Sequence, residues 1–176
     1  STLAAMPTPR YGLACAVVLD RLYAVGGTTN AAVAVNEEFD PDANAWTTRS
    51  AMPTARTYLG AAEAGQKLYA VGGSTLGVRV AVNQEYDPVS DAWASKAALP
   101  AARSNLAVVS LGGQVYAIGG YTGVASSATQ RYDPGSDSWT TKATMLAGRS
   151  DYGAAAVGGK IYALGGLNVS AAASNE

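Results

Sequence analysis

Leu22-Tyr23-Ala24-Val25-Gly26-Gly27 is a short apolar run that ends in two glycines, and the chain repeats it three more times. The later copies are Leu68-Tyr69-Ala70-Val71-Gly72-Gly73, Val115-Tyr116-Ala117-Ile118-Gly119-Gly120 and Ile161-Tyr162-Ala163-Leu164-Gly165-Gly166. The first glycines stand at 26, 72, 119 and 165, in steps of 46, 47 and 46 residues. A fixed period of about 40–50 residues is the signature of propeller blades. Each run is apolar at alternate and intervening positions alike, so both faces of its strand need cover. Blades stacked around an axis supply that cover, because every inner sheet lies between two neighbours.

Working outward, each run is preceded by a second apolar strand and a tight turn. The strands are expected over 11–19, 57–64, 104–111 and 150–157, with turns at Asp20-Arg21, Gly65-Gln66-Lys67, Gly112-Gly113-Gln114 and Gly158-Gly159-Lys160. Gly-rich links this short between apolar runs read as hairpins. An arginine opens each unit, at Arg10, Arg56, Arg103 and Arg149. After the glycines come a variable loop and a third strand, expected over 33–39, 80–86 and 126–132. The turns Asp40-Pro41, Asp87-Pro88 and Asp133-Pro134 follow, suited to Asp hydrogen bonding and the fixed φ of Pro. Trp46, Trp93 and Trp139 then start a fourth, outer strand. Four antiparallel strands per unit make an all-β fold of four blades.

The units run approximately 10–55, 56–102, 103–148 and 149–176, the last expected to be completed by residues 1–9. Ser1 to Arg10 matches Thr47 to Arg56, the tail of a unit, while the fourth copy stops before its aromatic-Asp-Pro turn. A start at Ser1 without Met also fits an engineered or excised set of blades.

The Arg, the paired glycines after a Tyr-containing strand, the aromatic-Asp-Pro turn and the spaced Trp together resemble Kelch repeats, over essentially the whole chain. The resemblance implies a β-propeller, and in that family six or seven blades are usual. Four blades at a six-fold angle would leave two apolar faces bare, an exposure unlike that of soluble monomers. A piece of a longer propeller, two chains in one ring, and four blades closing alone at a wider angle all remain open. A homo-oligomer in which two chains close one ring is the favoured reading, as cyclic pairs are the commonest symmetry.

Composition narrows the chemistry. The net charge is −1 and the basic residues are scattered, which speaks against a nucleic-acid or anionic-membrane partner. No apolar run approaches the ~20 residues of a membrane span, and no signal segment opens the chain, so the localisation is undetermined. Histidine is absent, which excludes Ser-His-Asp catalysis and His-containing metal sites. No catalytic residue, metal or cofactor is expected, and the chain reads as a non-enzyme. Asp40-Pro41-Asp42-Ala43-Asn44 imitates a calcium loop, but Ala45 and Ala51 stand where the loop needs Gly and a bidentate Glu. It is expected to be a turn. Asn168-Val169-Ser170 matches a glycosylation acceptor. The single Cys15 aligns with Ala61, Val108 and Ala154 and is expected to be a small buried core residue.

In Kelch propellers that bind peptides, contacts come from residues just after the glycine pair and just after the repeat Arg. Carried over by position, the first set is Thr28, Asn30, Ser74 and Tyr121. The second is Tyr11, Thr57, Tyr58, Ser104, Asn105, Ser150, Asp151 and Tyr152. This Tyr, Ser, Thr and Asn composition suits adaptable contacts. Without an Arg cluster it fits a neutral peptide, protein or glycan better than an acidic peptide. The function expected is a binding or assembly scaffold. A carbohydrate-binding or sugar-mutarotase-like propeller is the alternative.

Overall fold

The structure is a computed structural model that describes residues 2–168, and these contain strands and turns without a helix. The first blade is β1 (Ala14–Val18), β2 (Arg21–Val25), β3 (Asn36–Asp40) and β4 (Ala45–Arg49), paired in that order. In the second, β5 (Gly60–Ala64) and β6 (Lys67–Val71) precede a two-residue-stranded hairpin, β7 (Ser74–Thr75) and β8 (Val78–Arg79). That blade is completed by β9 (Asn83–Asp87) and β10 (Ala92–Lys96). The third blade is β11 (Ala107–Leu111), β12 (Gln114–Ile118), β13 (Thr129–Asp133) and β14 (Ser138–Lys142). The fourth has β15 (Gly153–Val157) and β16 (Lys160–Leu164) among the described residues. All pairings are antiparallel, and the innermost strands of successive blades pack side by side.

The strands are shorter at their starts than the sequence predicts. The residues after each Arg leave the sheet and form single bridges instead, Tyr11 to Thr28, Thr57 to Ser74, Ser104 to Tyr121 and Ser150 to Leu167. The first hairpin turns at Leu19-Asp20, one residue before the expected position, with both residues at positive φ. That is the backbone of a type I′ turn, whose twist matches the strands it joins. Gly65-Gln66 and Gly112-Gly113 do the same in the next two blades.

Between blades 1 and 2, Val18, Tyr23 and Val25 pack on Leu59, Leu68 and Tyr86. Between blades 2 and 3, Tyr69 and Val71 pack on Leu106, Val115 and Tyr132. The rings meet at 5.6 Å for Tyr23–Tyr86 and 5.5 Å for Tyr69–Tyr132, both tilted. Each outer Trp lies on its own blade's aromatic and donates its indole N–H to the incoming chain, Trp93 to the Ser50 carbonyl at 2.8 Å and Trp139 to that of Ala97 at 2.7 Å. Trp46 does the same to Ala4 at 3.0 Å. Residues 2–10 therefore lie along the outward face of blade 1, as the corresponding segment lies along blade 2.

The paired glycines mark where the next blade crosses. The second glycine donates to the carbonyl of the following repeat Arg, Gly27 to Arg56 at 2.8 Å, Gly73 to Arg103 at 2.9 Å and Gly120 to Arg149 at 2.8 Å. A Cβ on Gly72 would sit 2.6 Å from the Arg103 carbonyl oxygen, so the backbone contact excludes any side chain.

Cys15 is exposed, contrary to the buried position expected from its register. Its counterpart Ala61 is buried because blade 1 covers it, whereas no described blade lies before blade 1. The pairing of residues 1–9 with the end of the fourth unit, and the Asn168-Val169-Ser170 motif, involve positions outside the described residues.

Candidate functional site

The candidate site is the mouth of the hub, where the second residue after each Arg lines up across the blades. Tyr58 N–H donates to the Gly12 carbonyl at 2.7 Å, Asn105 to Tyr58 at 2.8 Å and Asp151 to Asn105 at 3.2 Å. This relay of backbone bonds needs left-handed backbone at every step. Gly12, Tyr58, Asn105 and Asp151 all have it, with φ of 63, 54, 54 and 53°. Gly, Asn and Asp tolerate that region, but a bulky Tyr there is strained. Strain of this kind concentrates at functional positions.

Above the relay lies a concavity of about 390 Å³ lined by Tyr58, Asn105, Asp151 and Tyr152, with Leu59 and Leu106 at its floor. Asn105 donates its side-chain amide to Oδ1 of Asp151, and the Ser150 hydroxyl donates to Oδ2 at 2.8 Å. Asp151 is the one ionisable carboxylate among the described lining residues, and it is already held by two donors. The arrangement presents hydrogen-bonding groups and aromatic faces to the concavity.

Of the residues expected from sequence, Tyr11, Asn30, Tyr58, Tyr121 and Asp151 are exposed on this face. Tyr152 and Asn105 are half-buried in the mouth, and Thr57 and Ser74 are half-buried where they bridge each other. Thr28, Ser104 and Ser150 are buried and serve the bridges through their backbones. Sequence reasoning missed the β7–β8 hairpin, which carries exposed Leu76 and Val78 and stacks Arg79 over the Tyr121 ring at 5.2 Å. The signal was there in Leu76-Gly77, a tight turn inside the variable loop, where Leu76 and Gly77 both have positive φ.

The four repeat arginines lie beneath the mouth as buried clamps. Arg56 donates to the carbonyls of Ala70 and Gly72 and to Oε1 of Gln84 at 3.2, 2.8 and 2.8 Å. Arg103 donates to Ala117 O at 3.1 Å and Gln130 Oε1 at 2.7 Å. Burial lowers both guanidinium pKa values to about 10. The calcium-like stretch is a turn, with Asp40 Oδ1 accepting from the Asp42 and Ala43 N–H groups and Oδ2 paired to Arg21 at 3.0 Å. Among the described residues no group of three or more His, Cys, Asp or Glu side chains is arranged to hold a metal ion. Among them, too, no helix is long and apolar enough to cross a membrane.

A larger cavity of about 530 Å³ lies between blades 3 and 4, lined by Tyr116, Ile118, Met145 and Ile161. It occupies the inter-blade layer that Tyr86 and Tyr132 fill in the two preceding interfaces. It is thus a packing layer and not part of the mouth.

The family described as the KLHDC2/KLHL20/DRC7 Kelch-repeats domain matches residues 1–166. Among solved structures, "Structure of YjhT" superposes with a TM-score of 0.82 at 18% identity, covering 94% of this chain and 61% of the other. The chain thus spans about 61% of that structure's length. No curated protein matches the sequence.

Proposed function

Because the chain belongs to the Kelch-repeat family, we propose that it is a non-enzymatic binding scaffold that holds a peptide segment of a partner protein at the mouth of its hub. The observation that carries this reading is the strained Tyr58, whose ring stands at the concavity beside Asn105 and Asp151. Exposed Tyr11, Tyr58 and Tyr121, with Leu76 and Val78 alongside, offer amphipathic contact area on a rigid frame. Asp151 and Asn105 supply the hydrogen bonds that orient a peptide backbone. With one carboxylate and no Arg cluster in the mouth, the segment it fits is neutral and mixed apolar-polar.

The test is selection from a random peptide library against the chain, followed by binding measurements on Tyr58→Ala and Tyr121→Ala. Selected peptides are expected to lose roughly 10-fold or more in affinity with either change, as aromatic anchors do, and to be indifferent to Val89→Ala on the outer edge. Peptides that bind both variants unchanged would place recognition elsewhere. Binding on a glycan array, or catalysed sugar anomerisation, in the absence of peptide binding would favour the carbohydrate reading.

A further inference from the structure

The link after the paired glycines is built differently in blade 2. It holds six residues, 74–79, before Val80, whose N–H returns to the Gly73 carbonyl at 2.9 Å. The same return closes over five residues in blades 1 and 3, from Val33 to Gly27 and from Ser126 to Gly120. The added residue lets β7 and β8 pair as a hairpin, Ser74 with Arg79 and Thr75 with Val78, where blades 1 and 3 have a single bridge. Its tip is Leu76-Gly77, with φ of 49 and 77°. A turn of that hand favours Asn or Asp at its first position, and a Leu there is strained. Leu76 is nevertheless 93% exposed, so neither the turn nor the core accounts for it.

The hairpin leans on the link of blade 3. Arg79 lies over the Tyr121 ring, and a Cβ on Gly123 would stand 3.7 Å from its Nη2. Val78, Tyr121 and Val124 are exposed beside it, which makes an apolar lip with one cation in it. The lip lies within the array, flanked by blade 1 on one side and blade 4 on the other. Arg10, Arg21, Arg49, Lys67 and Lys96 all face carboxylates. Arg79 is half-buried, and among the described residues its guanidinium has the Tyr121 ring for a partner and no carboxylate. Stacking uses a face of the planar guanidinium and leaves its N–H edge for a bidentate acceptor.

We propose, on the peptide reading of the mouth, that this lip reads one acidic side chain of the bound segment together with an apolar neighbour. The carboxylate pairs with Arg79, and the apolar side chain lies on Leu76, Val78 and Val124. Charge decides the placing. Asp151 repels an acid at the mouth, so the stretch over the concavity is neutral and the acid lies beyond it, on blades 2 and 3. A single guanidinium answers a single carboxylate, which sets an isolated Asp or Glu apart from an acidic run. The ring beneath Arg79 also keeps water from one side of the pair and strengthens it.

The test is a double-mutant cycle on peptides selected from a random library for binding that Tyr58→Ala weakens. Those peptides are expected to share one Asp or Glu with an apolar residue close by. Replacing that acid by its amide should cost about 10-fold in affinity on the parent chain and less than about twofold on Arg79→Ala. Arg79→Lys, which keeps the charge and loses the fork, should bind the acidic peptide with intermediate affinity. Selection against Arg79→Glu should exchange the acid for Lys or Arg. Leu76→Asn suits the left-handed turn, so it should unfold no earlier than the parent and yet bind the peptides several-fold more weakly. Amidating the peptide C-terminus should change nothing, because the carboxylate read belongs to a side chain, and a loss on amidation would overturn the proposal. Peptides that need Tyr58 but ignore both Arg79→Ala and the amide exchange would overturn it and leave the mouth reading standing. A library that yields no Tyr58-dependent peptide would overturn both.

Discussion

Arg10 and Glu37 form an ion pair whose side chains are 0% and 1% exposed, whereas Arg56, at the same place in blade 2, finds the neutral Gln84. Glu37 is also fixed by the Thr8 hydroxyl, which donates to its Oε1 at 2.7 Å. In blade 2 the partner hydroxyl, Thr54, accepts from the Gln84 amide at 3.2 Å. One clamp is thus built with a counter-charge and the other without, on the same backbone. Arg56 is a buried cation answered by dipoles alone.

Replacing the amide by a carboxylate should therefore help. Gln84→Glu is expected to raise stability by about 1 kcal/mol, since hydrogen bonds to charged groups exceed neutral ones by roughly that much. The Thr54 hydroxyl need only rotate to donate. Urea denaturation measures the gain, and a variant less stable than its parent would contradict it.

Removing the guanidinium strands its acceptors. Arg56→Met should lose roughly 2–4 kcal/mol, because the Ala70 and Gly72 carbonyls and Gln84 lose their donors in a dry interior. The exposed Lys160→Met, measured by the same denaturation, should change stability by no more than about 0.5 kcal/mol.

Two glycines with similar φ separate backbone strain from steric exclusion. Gly65 and Gly72 have φ of 60 and 65°, but only Gly72 has a carbonyl oxygen in the place of a Cβ. Gly65→Ala should cost about 1 kcal/mol, the penalty for left-handed backbone alone. Gly72→Ala should cost well over twice that and disturb the contact between blades 2 and 3. Equal losses in thermal unfolding would show the close approach to be unimportant.

Stability should fall at both ends of the pH scale. Tyr23, Tyr69, Tyr86 and Tyr132 donate to Glu38, Glu85, Asp91 and Asp137. Burial and then the carboxylate bond raise each phenol above its ordinary value. An unfolded Tyr ionises near pH 10. The native state keeps its protons there, so stability drops as the pH rises beyond that point. Asp91 and Asp137 are lowered, chiefly by their Tyr partners. Burial opposes the lowering of Glu38 and Glu85, and their hydrogen bonds and cations outweigh it. The stability these carboxylates add is present above an ordinary value of about 4 and lost as the pH falls. The urea midpoint should be flat from roughly pH 5 to 9 and decline on either side. A midpoint rising above pH 10 would refute the account.

Tyr58→Gly should trade function for stability. Gly12 holds the same place in blade 1 at φ 63°, so glycine fits the backbone there. Relief of left-handed strain is worth about 1 kcal/mol, while the mouth loses its central ring. A higher unfolding midpoint together with weaker peptide binding is expected.

The blade pattern was legible because every device that makes a blade is local. Gly26-Gly27, Arg56, Asp87-Pro88 and Trp93 each act within one unit or on its immediate neighbour, and recur at a constant step. The rim was only half legible. Thr28, Ser104 and Ser150 share the composition of Asn30 and Tyr121, yet they are buried by the bridges that join the two links of each blade. Those bridges run through backbone groups, so residue type carries no mark of which side chains they bury.

The sequence by itself determined the all-β repeat, its period and its four units, since propensity, turn chemistry and apolar patterning are properties of the chain alone. Tertiary structure alone decided which faces are covered. Cys15 and Ala61 occupy one register and differ only in whether a blade packs on them. It also decided that Gly12, Tyr58, Asn105 and Asp151 form one relay at the hub, because hydrogen bonds between blades exist only once the blades have been set around an axis.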